Sequence, residues 1–182
     1  MTLGLDVEIK IDLVSEPVTV AEMKDYLNID FSTWDSLLSI LISGARSKME
    51  RYTGCTFGTK TLISTFQQVG SNLDIPYGPI QSITSVKSID ETGVKTTLVN
   101  GVDYLITGNN FKNIRFNYID NPVEIEYVAG YDPLPVDLKV SVMKQVGMDF
   151  EFRENVMDSS QVTELSNGAK QAANSYRRVY LF

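Results

Sequence analysis

Between Thr59 and Gly130 the apolar and β-branched residues recur at every second position, whereas on both sides of that stretch they recur at every third or fourth. Period two sends alternate side chains to opposite faces of a strand, and steps of three and four line one face of a helix. A chain that switches period in this way is predicted to be α+β: a helical bundle core, an inserted antiparallel β layer, and a C-terminal helix followed by an extended tail. Strands are expected near 60–69, 73–76, 82–89, 94–98, 103–107, 112–117 and 123–129. Asp90-Glu91-Thr92-Gly93 has the makings of a tight hairpin link, with Gly93 supplying the positive φ that such a turn often demands.

The helical ends carry their own start and stop signals. Thr19 and Glu22 have the spacing of a capping box, in which each side chain satisfies a free backbone N–H of the first turn, so a short helix is expected from 20 to 28. Ser32 or Thr33 caps the next, whose stripe of Trp34, Leu37, Leu38, Leu41, Ala45, Met49 and Tyr52 runs on to Gly54. Ile40 lies off that stripe, either as a scattered exposed residue or as part of a subunit contact. Pro135 can open a helix over 135–153 with two apolar faces, one of Val136, Val140, Met143, Gly147 and Phe150, the other of Leu138, Val142 and Val146. Such a helix is either sandwiched inside its own domain or shared with a neighbour, which makes Leu138, Val142 and Val146 candidates, with Ile40, for a subunit interface. A polar link over 154–165, a short helix over 167–176 and the tail YRRVYLF complete the chain. The expected division is a body over 1–154 and a linker with an arm over 155–182.

Composition then narrows the function. The 182 residues suit one domain, or one domain with a tail, large enough to bury a core without disulfides or metal. There is one cysteine and no histidine, which removes the commonest general base and the commonest metal ligand together. Glu124 and Glu126 share one strand face, and with Asp103 they are the only set to weigh for a metal-dependent hydrolase; a solvated strand face is the plainer reading. Cys55 follows the helix-ending Gly54, where the helix dipole disfavours a thiolate. No phosphate loop, nucleophile elbow or dinucleotide fingerprint is present, so no catalytic, cofactor or metal residue is assigned and the chain is expected not to be an enzyme.

Charge is unevenly spread. Residues 1–165 hold all 23 acids against 13 bases, while 166–182 hold Lys170, Arg177 and Arg178 and no acid. An acidic body repels phosphate, and the nine acids against five bases of residues 1–54 exclude a helix-turn-helix reader. The opening MTLGLDVEIKIDL lacks the basic start and apolar run of a secretory signal, and no stretch approaches the ~20 apolar residues of a membrane span. A soluble protein made in a reducing compartment is the expectation.

EPVTVAEMKDYLNID (16–30), then a long helix closing in MERYTG (49–54), resembles the opening of the tailed-phage head-tail connector, or adaptor, family. The likeness continues through PIQSITSVKSID (79–90), ETGVKTTLVNGVDYLI (91–106) and VEIEYVAGYDPLPVDLKVSVMKQVGMDFEFRE (123–154), with a Tyr-Arg pair at 176 and 177 where the family's chains usually end. The order and spacing of these pieces carry the resemblance, above all Val128-Ala129-Gly130-Tyr131 leading through prolines into an apolar helix. The stretch 155–168 is longer than in many relatives. The resemblance implies a structural subunit of the virion neck, made in the bacterial host cytoplasm: a dodecameric ring beneath the portal whose channel DNA traverses without specific binding. Its implied partners are the portal protein, a tail or stopper protein and its own copies, with no membrane and no cofactor. A tail-completion or stopper protein of the same junction is the alternative, and a metal-dependent phage nuclease a more distant one.

The tail is expected to be the portal-binding arm, the alternative being that it folds back on its own domain. Extended, YRRVYLF sends Tyr176, Arg178, Tyr180 and Phe182 to one side and Arg177, Val179 and Leu181 to the other, so neither face is purely polar. Tyr and Arg are favoured interface anchors, and an extended segment can add to a partner's sheet edge.

Overall fold

The computed structural model describes residues 5–152 and 165–178, and among these the chain divides into two compact units. One, of residues 5–13 and 54–132, holds every strand; the other, of residues 14–53, 133–152 and 165–178, holds every helix.

The strand unit consists of β1 (Leu5–Ile11), β2 (Lys60–Phe66), β3 (Asn72–Asp74), β4 (Ile80–Ile89), β5 (Lys95–Thr97), β6 (Tyr104–Thr107), β7 (Asn113–Phe116) and β8 (Val123–Ala129). They form two antiparallel sheets: a five-stranded sheet ordered β1-β2-β8-β4-β5 and a three-stranded sheet ordered β3-β7-β6. Alternation explains the central strands, because in β2 and β8 every second residue is buried. Their inward side chains, Leu62, Phe66, Val123, Ile125, Tyr127 and Ala129, join Ile80, Val86, Ile114 and Phe116 in one core. The sheet is therefore built around a core of its own. The hydroxyl of Tyr127, inside it, is satisfied by Ser64 Oγ at 2.9 Å and the Pro76 carbonyl at 3.0 Å.

Seven strands fall where the change of period puts them. The first, β1, comes from the segment read only for a signal peptide; Leu5, Val7 and Ile9 alternate there with Asp6, Glu8 and Lys10, and the strand pairs with β2. The Asp90 turn forms as expected: Gly93 has φ 84°, and the Asp90 carboxylate accepts the N–H groups of Thr92 and Val94 at 2.9 and 2.8 Å. Those bonds hold its carboxyl below the usual range, the Thr92 hydroxyl contributing most. Gly130, with φ 126°, closes β8 where any Cβ would overlap the Gly58 carbonyl. That close approach accounts for the glycine in Val128-Ala129-Gly130-Tyr131.

The helical unit consists of α1 (Val20–Leu27), α2 (Asp35–Thr53), α3 (Val136–Glu151) and α4 (Asn167–Ala173), with a 3-10 turn at Asn174–Tyr176. The capping box is present in full, Glu22 N–H bonding Thr19 Oγ1 at 3.2 Å and Thr19 N–H bonding the Glu22 carboxylate at 2.9 Å. Helix α1 ends on Asn28, which takes the left-handed conformation. Helix α3 packs against α2, α4 and α1. Leu138, Val142 and Val146 have no exposed surface, so the interface expected from them is corrected: this face of α3 is core, matched by Leu38, Ile42, Ala45 and Met49 of α2. The described part of the expected arm, residues 165–178, also belongs to this unit, where α4 lies on α3 and α2.

Candidate functional site

The three acids weighed for a metal centre are not brought together. Glu124 and Glu126 stand on the outer face of β8, where Glu124 pairs with Lys87 and Lys95 at 3.6 and 2.5 Å and Glu126 pairs with Lys10 at 2.7 Å. Asp103 accepts the Val99 N–H at 2.7 Å in the turn before β6. Among the described residues no group of three or more His, Cys, Asp or Glu could hold a metal ion. Cys55 is buried.

What the helical unit does show is a fixed exit for the end of the chain. The guanidinium of Arg177 lies 5.3 Å from the centroid of the Tyr52 ring, and the N–H of Arg178 donates to the Thr53 carbonyl at 2.7 Å. Thr53 ends α2, so its carbonyl is one of the groups a helix leaves without an internal donor. The tail's backbone supplies that donor, and the Arg177 cation sits near the negative end of the helix dipole. Tyr176 closes the 3-10 turn just before. Val179, Tyr180, Leu181 and Phe182 lie outside the described residues.

A buried ion triad ties the lead-in of α1 to the middle of α2. Arg46 reaches Glu16 through Nε at 2.8 Å and Nη2 at 3.2 Å, and Glu50 through Nη1 at 2.9 Å. The fork of the guanidinium satisfies two carboxylates at once, which is what permits an arginine with 7% side-chain exposure. Periodicity did not reveal it, because a charged residue one step from an apolar stripe reads as surface. Lys139 on α3 bonds Glu22 of the capping box, and Lys48 bonds Asp149, so polar links as well as apolar contacts fix α3. Trp34 and Phe150 meet edge to face with centroids 6.0 Å apart.

Ile40 is 69% exposed on α2. Phe152 in the helical unit and Val99, Val102 and Tyr118 in the strand unit are exposed too, as is Val136, which the spacing had placed on an apolar face of α3. No helix among the described residues is long and apolar enough to cross a membrane.

The sequence profile of the head completion protein family matches residues 16–172, and the chain belongs to that family. The fold is shared with chains from solved gene transfer agent particles. One is from the neck of the empty particle computed with C6 symmetry (TM-score 0.77, 18% identity, 97% of each chain covered). A second is from the native particle's virion (0.78, 18%, 97% of each), and a third from the native neck computed with C12 symmetry (0.75, 19%, 97% of each). No curated protein matches the chain.

Proposed function

We propose that the chain is an adaptor subunit that forms a ring beneath the portal in the neck, that the ring surrounds the path of the DNA, and that the segment Tyr176–Phe182 engages the portal protein. The observation that carries this reading is the family match over residues 16–172, which takes in strands and helices alike. The shared fold with neck chains of particles treated with six-fold and twelve-fold symmetry supports a ring, and twelve copies is the number that fits a C12 neck. Net charge of −7 supports a channel wall along which DNA slides without adhering, because binding phosphate requires Lys and Arg. The clasp at Tyr52 and Thr53 gives the arm a defined point of departure. Its other partner is the tail or stopper protein, and the role is structural throughout.

The test is co-sedimentation with portal-containing heads. Protein lacking residues 179–182 should fold, judged by circular dichroism, yet fail to sediment with the heads. A truncated protein that binds normally removes the arm from the portal contact, and a neck imaged with this chain on the tail side of another ring favours a stopper instead.

A further inference from the structure

The five-stranded sheet has two open edges, and they match each other. On its outer face the register aligns Asp6 of β1, Thr65 of β2, Glu124 of β8, Lys87 of β4 and Thr97 of β5 in one row. Charge runs across this face from acid to base. Asp6 and Glu8 stand exposed on β1 with no ion-pair partner among the described residues, Lys10 being taken by Glu126. At the far edge Lys87 and Lys95 share one carboxylate, Glu124. Apolar side chains are exposed near both edges too, Ile9 on β1 at 51% and Val94 just before β5 at 58%.

We propose that β5 of one copy adds to β1 of the next, so that Lys95 lies beside Asp6 and Glu8. The proposal rests on the ring reading above and names its contact. Every pairing in the sheet is antiparallel, and with five strands the two edges therefore run in the same direction. Copies related by rotation about one axis thus meet edge to edge in parallel, a head-to-tail contact of the kind that closes into rings. The isologous alternative, β1 against β1 of a second copy, is antiparallel and, in the register centred on Val7, sets Asp6 opposite Glu8, where like charges repel. Strand β5 has only three residues, and a lysine on a short edge discourages indiscriminate pairing. Such a contact holds through repetition around a ring and leaves a lone subunit unpaired.

The experiment is disulfide trapping in assembled particles that carry Thr97→Cys with either Asp6→Cys or Glu8→Cys. After mild oxidation, a gel without reductant should show dimers and higher multiples for at least one pair and none for the single-cysteine variants; the natural Cys55 is buried and serves as background. Monomers alone from both pairs, in particles whose necks carry several copies, overturn edge pairing and leave the ring standing. A neck with one copy overturns the ring itself. A second arm covers cysteine variants that fail to incorporate: Lys95→Glu should lower incorporation into particles and adding Glu8→Lys should restore it, whereas unchanged incorporation of Lys95→Glu counts against the contact.

Discussion

Arg177 places its guanidinium over the ring of Tyr52, 5.3 Å from the centroid, while the next residue's N–H closes on the carbonyl that ends α2. The turn at Asn174–Tyr176 is followed by a segment held twice, once by a cation over an aromatic face and once by the backbone. A cation–π contact at an exposed site contributes about 0.5–1 kcal/mol. Tyr52→Leu is therefore expected to lower global stability slightly and to speed hydrogen exchange at Arg178 more than at α2 amides. Equal acceleration of both would mean that Tyr52 serves the helix and not the exit of the tail.

The triad at Arg46 should be far more consequential. Replacing Arg46 by Met removes its ion pairs with Glu50 and Glu16 in a largely dry setting, where breaking such a pair costs about 3 kcal/mol or more. Urea unfolding should report that loss, and the further changes Glu50→Met and Glu16→Gln should recover most of it. If Arg46→Met unfolds at the same urea concentration as the natural protein, the triad contributes no net stability.

Sequence patterning located these elements better than it located what joins them. Strands such as β2 and β8 were legible because one face is buried and the other is not, which prints period two directly. The same alternation is present at Leu5–Ile11, but as an edge strand it is mostly exposed and lacks the buried face that marks β2 and β8. On α2 the stripe gave Leu38, Ala45 and Met49, yet Ile42 and Arg46 are buried as well, because the helix is covered over a wider arc than one stripe. For α3 the two apolar faces admitted a core or an interface, and only packing could decide; α3 packs against α1, α2 and α4, and Leu138, Val142 and Val146 are buried. The clasp at Tyr52 was not legible at all, since nothing local brings residues 52 and 177 together.

Acid should weaken the α1 cap. The Lys139 ammonium, followed by the Thr19 N–H, holds the Glu22 carboxyl below its ordinary value. A carboxylate with a lowered folded-state pKa contributes stability that is present above the ordinary carboxylate range and is lost as pH falls through the lowered value. Glu22 is 41% exposed, so salt and water screen much of this. Glu22→Gln is thus expected to be less stable than the natural protein at neutral pH, with the gap closing in acid and shrinking in high salt. A gap that is constant with pH would remove the ionised carboxylate from the cap.

The last test separates the two residue sets that sequence periodicity offered for subunit contact. Val142 is fully buried on α3, and an aspartate there would carry a charge into the packed interior, so Val142→Asp should abolish cooperative unfolding. Ile40 stands on the outer side of α2, 69% exposed, where substitutions away from special features change stability within roughly ±0.5 kcal/mol. Ile40→Asp should therefore fold with an unchanged thermal midpoint. Its incorporation into particles then reads the surface alone, because the core is untouched. Reduced incorporation with normal stability makes Ile40 part of an assembly contact, and normal incorporation makes it a scattered apolar residue. A fall in thermal stability for Ile40→Asp would contradict the placement of this side chain outside the packed face of α2.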